Sequence, residues 1–145
     1  MKDKIIIAAL LFMTSFFMNA QKKEQVRTLP TQGTEFVATH FKDQKIKTIF
    51  KVPSDKKHKY EVTLENGIEI ELDSYGKWKE VEGNNNPVPY SYLKPATVTY
   101  LKTNYGNRRV VEVENGPRFI FVKLDNDVKL QFEAEGKFYR IYTEE

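Results

Sequence analysis

Along residues 60–78 apolar and polar side chains alternate: Tyr60, Val62 and Leu64, then Ile68, Ile70 and Leu72, separated by charged or polar neighbours. Period-two alternation of this kind marks antiparallel strands with one face buried. Ahead of it, Leu29, Phe36, Val37, His40 and Phe41 recur at three to four residues and predict one apolar helical face. The same sequence of periods returns later. Leu93, Val98, Leu101 and Tyr105 repeat the helical spacing, and residues 120–138 align without a gap on residues 60–78 at an offset of 60. Upstream the match holds at an offset of 64, placing Leu29 on Leu93, Val37 on Leu101, Phe41 on Tyr105 and Ile46 on Val110. The difference predicts a longer loop, Pro53 to Lys59, in the first copy. Two copies at this spacing are paired half-domains, since a solenoid needs about three repeats to bury a core. Each copy is expected to hold one helix, opened by Pro30 or Pro95, and about four strands.

Parity selects the hairpin. A two-residue Asn66-Gly67 loop would set Leu64 opposite Glu69, mixing apolar and acidic residues on one face. A three-residue loop, Glu65-Asn66-Gly67, with Gly67 left-handed, pairs Leu64 with Ile68, Val62 with Ile70 and Tyr60 with Leu72. The second copy then pairs Leu124 with Val128 and Ile120 with Phe132, and requires a left-handed Asp127. The next turn leaves two registers open. A four-residue Asp73-Ser74-Tyr75-Gly76 loop turns Trp78 outward and suits Val81, Tyr139 and Ile141 facing inward; a five-residue loop turns Trp78 into the core.

Before these copies, Lys2 and Lys4 precede an apolar run from Ile5 to Met18 and then Asn19-Ala20-Gln21. This is the layout of a secretory signal peptide, with cleavage expected after Ala20. The run is shorter than the ~20 residues of a spanning helix. Residues 1–20 are therefore set aside as a signal, 21–28 as an N-terminal tail, and 29–145 as one domain of two repeats, 29–89 and 90–145. The chain lacks cysteine, so neither a disulfide nor a lipid-anchoring thiol is available. Without Lys2, Lys4 and Asp3 the 23 basic and 20 acidic residues become 21 and 19, too even a balance to imply a nucleic-acid or membrane partner.

The segments Leu29-Pro30 to His40-Phe41, Tyr60 to Gly67, Glu71 to Trp78 and Val88-Pro89, with their second-copy counterparts, resemble the PepSY-like family with the β-lactamase-inhibitor-like fold, found among exported proteins of Bacteroidetes-type bacteria. The resemblance implies an α+β fold of two tandem repeats, each a helical segment packed on a four-stranded antiparallel sheet. It implies inhibitory or protein-binding roles and no catalytic residues, and Asp127 departs from the glycine expected there.

Chemistry-bearing residues are few. No Gly-x-Ser-x-Gly, His-Glu-x-x-His or phosphate-loop motif occurs, and the two histidines are His40, on the apolar helix face, and His58, among Lys56, Lys57 and Lys59. His40 is expected in the core and His58 in solvent. Glu61, Glu69, Glu71 and Asp73 fall on the outer strand face, with Glu61 facing Glu71, and are expected to be solvated and not metal-bound. Asp125-Asn126-Asp127 lacks the glycine and glutamate of a calcium loop and is expected to be a turn. Lys51 to Lys59 is expected to be a solvated loop. No catalytic, cofactor or metal residues are assigned. The favoured reading is a non-catalytic exported module that binds an unidentified protein or peptide on its open sheet face around Phe119 and Phe121, joined by Phe138 under the shorter loop, with Trp78 as a further candidate. Its rivals are a structural or stress-related envelope protein without a ligand and, behind it, a hydrolase.

Overall fold

The computed structural model describes residues 22–55 and 57–142; the expected signal segment lies outside them. A short strand β1 (Glu24–Gln25) precedes helix α1 (Thr31–His40) and strands β2 (Ile46–Ser54), β3 (Lys57–Leu64), β4 (Glu69–Leu72) and β5 (Trp78–Glu82). Helix α2 (Pro95–Tyr105) then leads to β6 (Val110–Asn115), β7 (Phe119–Leu124), β8 (Lys129–Glu133) and β9 (Phe138–Tyr142). All nine strands form one antiparallel sheet in chain order. This corrects the expectation of a separate four-stranded sheet per copy: β5 pairs with β6, so Val81 meets Val113 across the seam, and the tail adds β1 alongside β2.

The helices follow their sequence signals. Pro95 opens α2, where its missing N–H costs nothing, and Pro30 caps α1, its carbonyl accepting from Thr34 N–H at 3.0 Å. Both helices cover the same side of the sheet. Val37 and Phe41 from α1 and Leu101 from α2 share one buried cluster with Val62, Ile70, Val81, Val113, Val122 and Leu130, which are cross-strand neighbours along a single row.

Both hairpins take the three-residue register. Val62 faces Ile70 and Tyr60 faces Leu72, while Gly67 has φ +91°; in the second half Ile120 faces Phe132 and Asp127 has φ +66°. Asn126 Oδ1 accepts from Val128 N–H across this second turn, which is the turn expected of Asp125 to Asp127. The segment expected as a long loop after Pro53 is a longer hairpin instead: Pro53 faces His58 and Ser54 faces Lys57, with Asp55 at φ +46°. Backbone pairing is thus satisfied further out than apolar alternation alone indicates.

The register left open at Trp78 is settled by a bulge. Leu72 pairs with Trp78 and Glu71 with Glu80, leaving Lys79 unpaired, and the second half repeats this with Phe132 on Phe138 and Gln131 on Arg140. The turn holds five residues, 73–77, closed by Asp73 N–H to the Lys77 carbonyl at 2.8 Å. Its extra strand residue lets both Trp78 and Val81 face inward. Tyr139 and Ile141 are 52% and 54% exposed, contrary to the inward placement that the shorter loop allows; Ile141 sits opposite buried Leu130, but on the edge strand.

Candidate functional site

The two helices leave the other side of the sheet uncovered by any described element. One row across that side runs Phe50, Glu61, Glu71, Glu80, Glu114 and Phe121 on successive strands β2 to β7. The adjacent row places Glu69 beside Glu82 and Glu82 beside Glu112. Seven glutamates therefore lie within two rows, with neighbouring strands about 4.8 Å apart. Among the described residues, cations meet the ladder at its margins. Lys59 Nζ lies 2.5 Å from Glu71 and 3.7 Å from Glu61, Lys23 reaches Glu61 at 2.5 Å, and Lys129 reaches Glu114 at 3.5 Å. The hydrogen bond to Glu71 dominates in raising the Lys59 pKa.

At the centre, Glu80 and Glu82 have no ion-pair partner among the described residues. Partial burial, followed by repulsion from Glu112, Glu71, Glu114 and Glu82, raises the Glu80 pKa. Partial burial and Glu82 do the same to Glu112, partly offset by Lys129 and Lys123. Carboxylate oxygens of Glu80, Glu82 and Glu112 lie within 4.8 Å of one another, a spacing at which three ligands can share a cation. Sequence reasoning located Glu61, Glu69 and Glu71 on this face but missed Glu80, Glu82, Glu112 and Glu114. The signal for these four lies in the pairing of β5 with β6, which joins residues about 30 apart in the chain. Asp73 does not belong to the face: its Oδ1 accepts from Tyr75 and Lys77 N–H at 2.9 Å and holds the turn.

Beyond Glu114 the same side becomes aromatic. Phe121 packs edge-on against Tyr142 at 5.1 Å, Phe119 lies 5.3 Å from Tyr139, and Lys129 sits over both Phe121 and Tyr142. The Arg140 guanidinium donates to Gln131 Oε1 at 2.9 Å and lies over both tyrosines. Phe119 and Phe121 thus lie on the uncovered side. Phe138 and Trp78 do not join them, because the bulged register turns both toward the helices. Phe138 stacks on Tyr100 at 4.4 Å, and Trp78 stacks against Phe36 at 6.3 Å and meets Tyr92 edge-on at 5.1 Å.

His40 belongs to this inner aromatic group, 5.0 Å from both Phe36 and Tyr92, and partial burial lowers its pKa. The Tyr92 hydroxyl is buried without a hydrogen-bond partner among the described residues, and burial raises its pKa, so the phenol stays neutral. His58, expected in solvent, is half-buried edge-on to Tyr60 at 5.2 Å because the lengthened hairpin carries it onto the sheet. Neither histidine meets a hydroxyl nucleophile and a carboxylate together: His58 Nε2 lies 3.3 Å from the Tyr60 hydroxyl, and His40 is surrounded by rings.

No helix of the described residues is long and apolar enough to cross a membrane. No curated protein matches the chain. Three crystal structures share its fold over almost their whole lengths. One, from Bacteroides thetaiotaomicron, is described as a "putative calcium-regulated periplasmic protein"; it is 27% identical, with 83% of this chain and 97% of that one covered and a TM-score of 0.77. A second, from Bacteroides vulgatus and described as a "putative periplasmic protein of unknown function", is 27% identical, with 84% and 100% covered and a TM-score of 0.76. The third, from Bacteroides vulgatus and described as a "putative periplasmic protein" from the DUF2874 family, is 26% identical, with 86% and 99% covered and a TM-score of 0.77. The family model described as "Putative beta-lactamase-inhibitor-like, PepSY-like" matches residues 18–77 and again 58–140, and the chain belongs to this family.

Proposed function

We propose that the chain is an exported, non-catalytic binding module that meets a protein or peptide partner on the uncovered side of its sheet, in the manner of an inhibitor. Residues 1–20 act as the signal, and 29–89 and 90–145 are the two repeats of the mature domain. The observation that carries the reading is the grouping of Phe119, Phe121, Tyr139 and Tyr142 on that side, next to the glutamate ladder. Tyr139 is exposed and Phe119, Phe121 and Tyr142 are half-buried; rings grouped at a surface mark interaction sites, and an aromatic anchor buried in an interface contributes ~2 kcal/mol or more. The inhibitor-like family and the periplasmic neighbours support the same reading. A photo-crosslinking residue at position 121 tests it in envelope extract. A discrete protein adduct is expected from position 121 and none from the exposed helix position 35. Equal labelling at both, or an undiminished adduct from position 139 in a folded Phe121→Ser variant, would refute it.

A second reading has its own observation. Glu80, Glu82 and Glu112 could hold a divalent cation, and one similar structure is described as calcium-regulated. Calcium takes six to eight oxygens, so water or a partner would complete the shell. Millimolar calcium should then raise the melting temperature of the mature protein and leave that of a Glu82→Gln variant unchanged. An unchanged melting temperature in the unaltered protein counts against the site.

A further inference from the structure

On the helix side, where β5 ends the first half and the β6–β7 turn belongs to the second, the seam forms an open cavity of about 340 Å³. Trp78, Tyr92 and Ile120 give it an aromatic and apolar lining, the Phe119 backbone borders it while its ring turns to the other side of the sheet, and Lys94 and Arg118 are its charged residues. No carboxylate lines it among the described residues, although the chain holds 20 acidic side chains. The depression over the glutamate ladder has the opposite character, being lined by Glu61, Glu69, Glu71, Glu80 and Glu82. The volume falls at the lower end of the range for small-molecule sites, about 300–1,000 Å³, which suits a single ring with a short polar extension.

Local structure explains why the cavity exists and what remains free in it. The turn that borders it is Gly116-Pro117, whose residues carry little side chain; a Cβ on Gly116 would come 2.9 Å from the Phe119 carbonyl. Thr97 lines the cavity, but its hydroxyl is engaged, donating to the Gly136 carbonyl at 2.8 Å. The Asn115 amide points N–H at the Trp78 carbonyl at 3.4 Å. Lys94 and Arg118 have no ion-pair partner among the described residues, so two cations border an aromatic hollow with their charge unspent.

We propose that this seam cavity binds a small amphipathic carboxylate, its ring against Trp78 and Tyr92 and its anionic group at Arg118 and Lys94. Arg118 takes the carboxylate through its planar pair of N–H donors, and Lys94 adds a point charge. The aromatic body gains offset or edge contacts with the lining rings. Such a ligand is either a free aryl acid or the C-terminal residue of a peptide, which share this chemistry. The assignment concerns the helix side and does not rest on the partner surface proposed above.

Trp78 is the only tryptophan, so its emission reports the cavity directly. The mature protein is titrated with N-acetyl-phenylalanine and with N-acetyl-phenylalanine amide, and with a hexapeptide ending in phenylalanine as free acid and as amide. A saturable change with both acids is expected, with each amide about tenfold weaker because it forfeits the charge-assisted bonds. Arg118→Gln should weaken acid binding about tenfold and leave amide binding unchanged. Arg118 is exposed, and Lys94→Gln, also exposed, gives the same reading if the first variant misfolds. A peptide acid tenfold tighter than the free acid assigns the site to chain termini, and comparable affinities assign it to small acids. No saturable change, or acid and amide binding alike, overturns the proposal.

Discussion

Glu82 on β5 stands directly opposite Glu112 on β6, in the register that joins the two halves of the sheet. Glu80 stands between Glu71 and Glu114 in the next row. Directly opposed like charges destabilise a sheet by roughly 0.2–1 kcal/mol per pair. Glu80 and Glu112 both have raised pKa values, burial being the larger cause and neighbouring glutamates the next. For an acid whose folded pKa exceeds its unfolded value, the folded state binds the extra proton. The stabilisation is complete below the unfolded value and is lost as pH rises through the folded one.

Glu80→Gln should therefore melt higher than the unaltered protein at neutral pH, by about 4 °C for ~1 kcal/mol. The two should converge as pH falls below the ordinary carboxylate range. Added salt should shrink the neutral-pH gap. Melting curves across pH decide it, and a gap that widens toward acid would show that the repulsion is misassigned.

Lys59 separates Glu61 from Glu71 on the same side. Lys59→Gln removes the cation from this opposed pair and should destabilise by about 1 kcal/mol at neutral pH, with little effect where the carboxyls are protonated. Denaturant unfolding at two pH values measures the difference.

Asp127 holds the left-handed conformation that its counterpart Gly67 adopts freely. Its ion pair with Lys123 is 3.7 Å long and exposed, and contributes little. Asp127→Gly should stabilise by roughly 0.5–1 kcal/mol, less than the full left-handed penalty because glycine also loosens the unfolded chain. A shift in the urea midpoint without a change in slope would establish it.

Gly33 on α1 lies against Gly76 in the β4–β5 turn, where a Cβ on Gly76 would come 2.6 Å from Gly33 N. The second half makes the equivalent contact with Thr97, whose hydroxyl donates to the Gly136 carbonyl. Gly76→Ala meets backbone at a positive φ and should cost more than ~2 kcal/mol. Thr97→Val should cost about 1–3 kcal/mol by leaving that carbonyl unpaired, and Thr97→Ser less. Equal stability of the Val and Ser variants would remove the hydrogen bond from the account.

Local pattern carried much of this fold. The parity of Tyr60, Val62 and Leu64 against Ile68, Ile70 and Leu72 determines the hairpin register, because a one-residue slip would bury glutamates. The spacing of Val37 and Phe41, or of Leu101 and Tyr105, determines which helix face is apolar. Strict period-two reasoning fails at Lys79 and Tyr139, since it forces a choice between Trp78 and Val81 where a bulge accommodates both. The glutamate ladder was legible only as far as β3 and β4, because its remainder depends on which strand lies beside β5. The seam cavity was not legible at all: Trp78 and Arg118 stand about 40 residues apart, and no periodicity relates them.

The join between the halves has a consequence for the two ends of the sheet. β5 and β9 occupy the same place in their respective copies, as do β6 and β2, so the β5–β6 junction attaches the tail of one copy to the head of the next. Such a junction is heterologous and does not close on itself; repeated between molecules, it would build a filament. At the C-terminal end Ile141, the counterpart of fully buried Val81, is exposed, with no strand beyond β9 among the described residues. At the other end β1 already occupies the edge of β2, with Gln25 opposite Phe50, the counterpart of Glu114 in the β5–β6 junction. Two residues of the tail thus cover part of the edge onto which a neighbour's β9 would add.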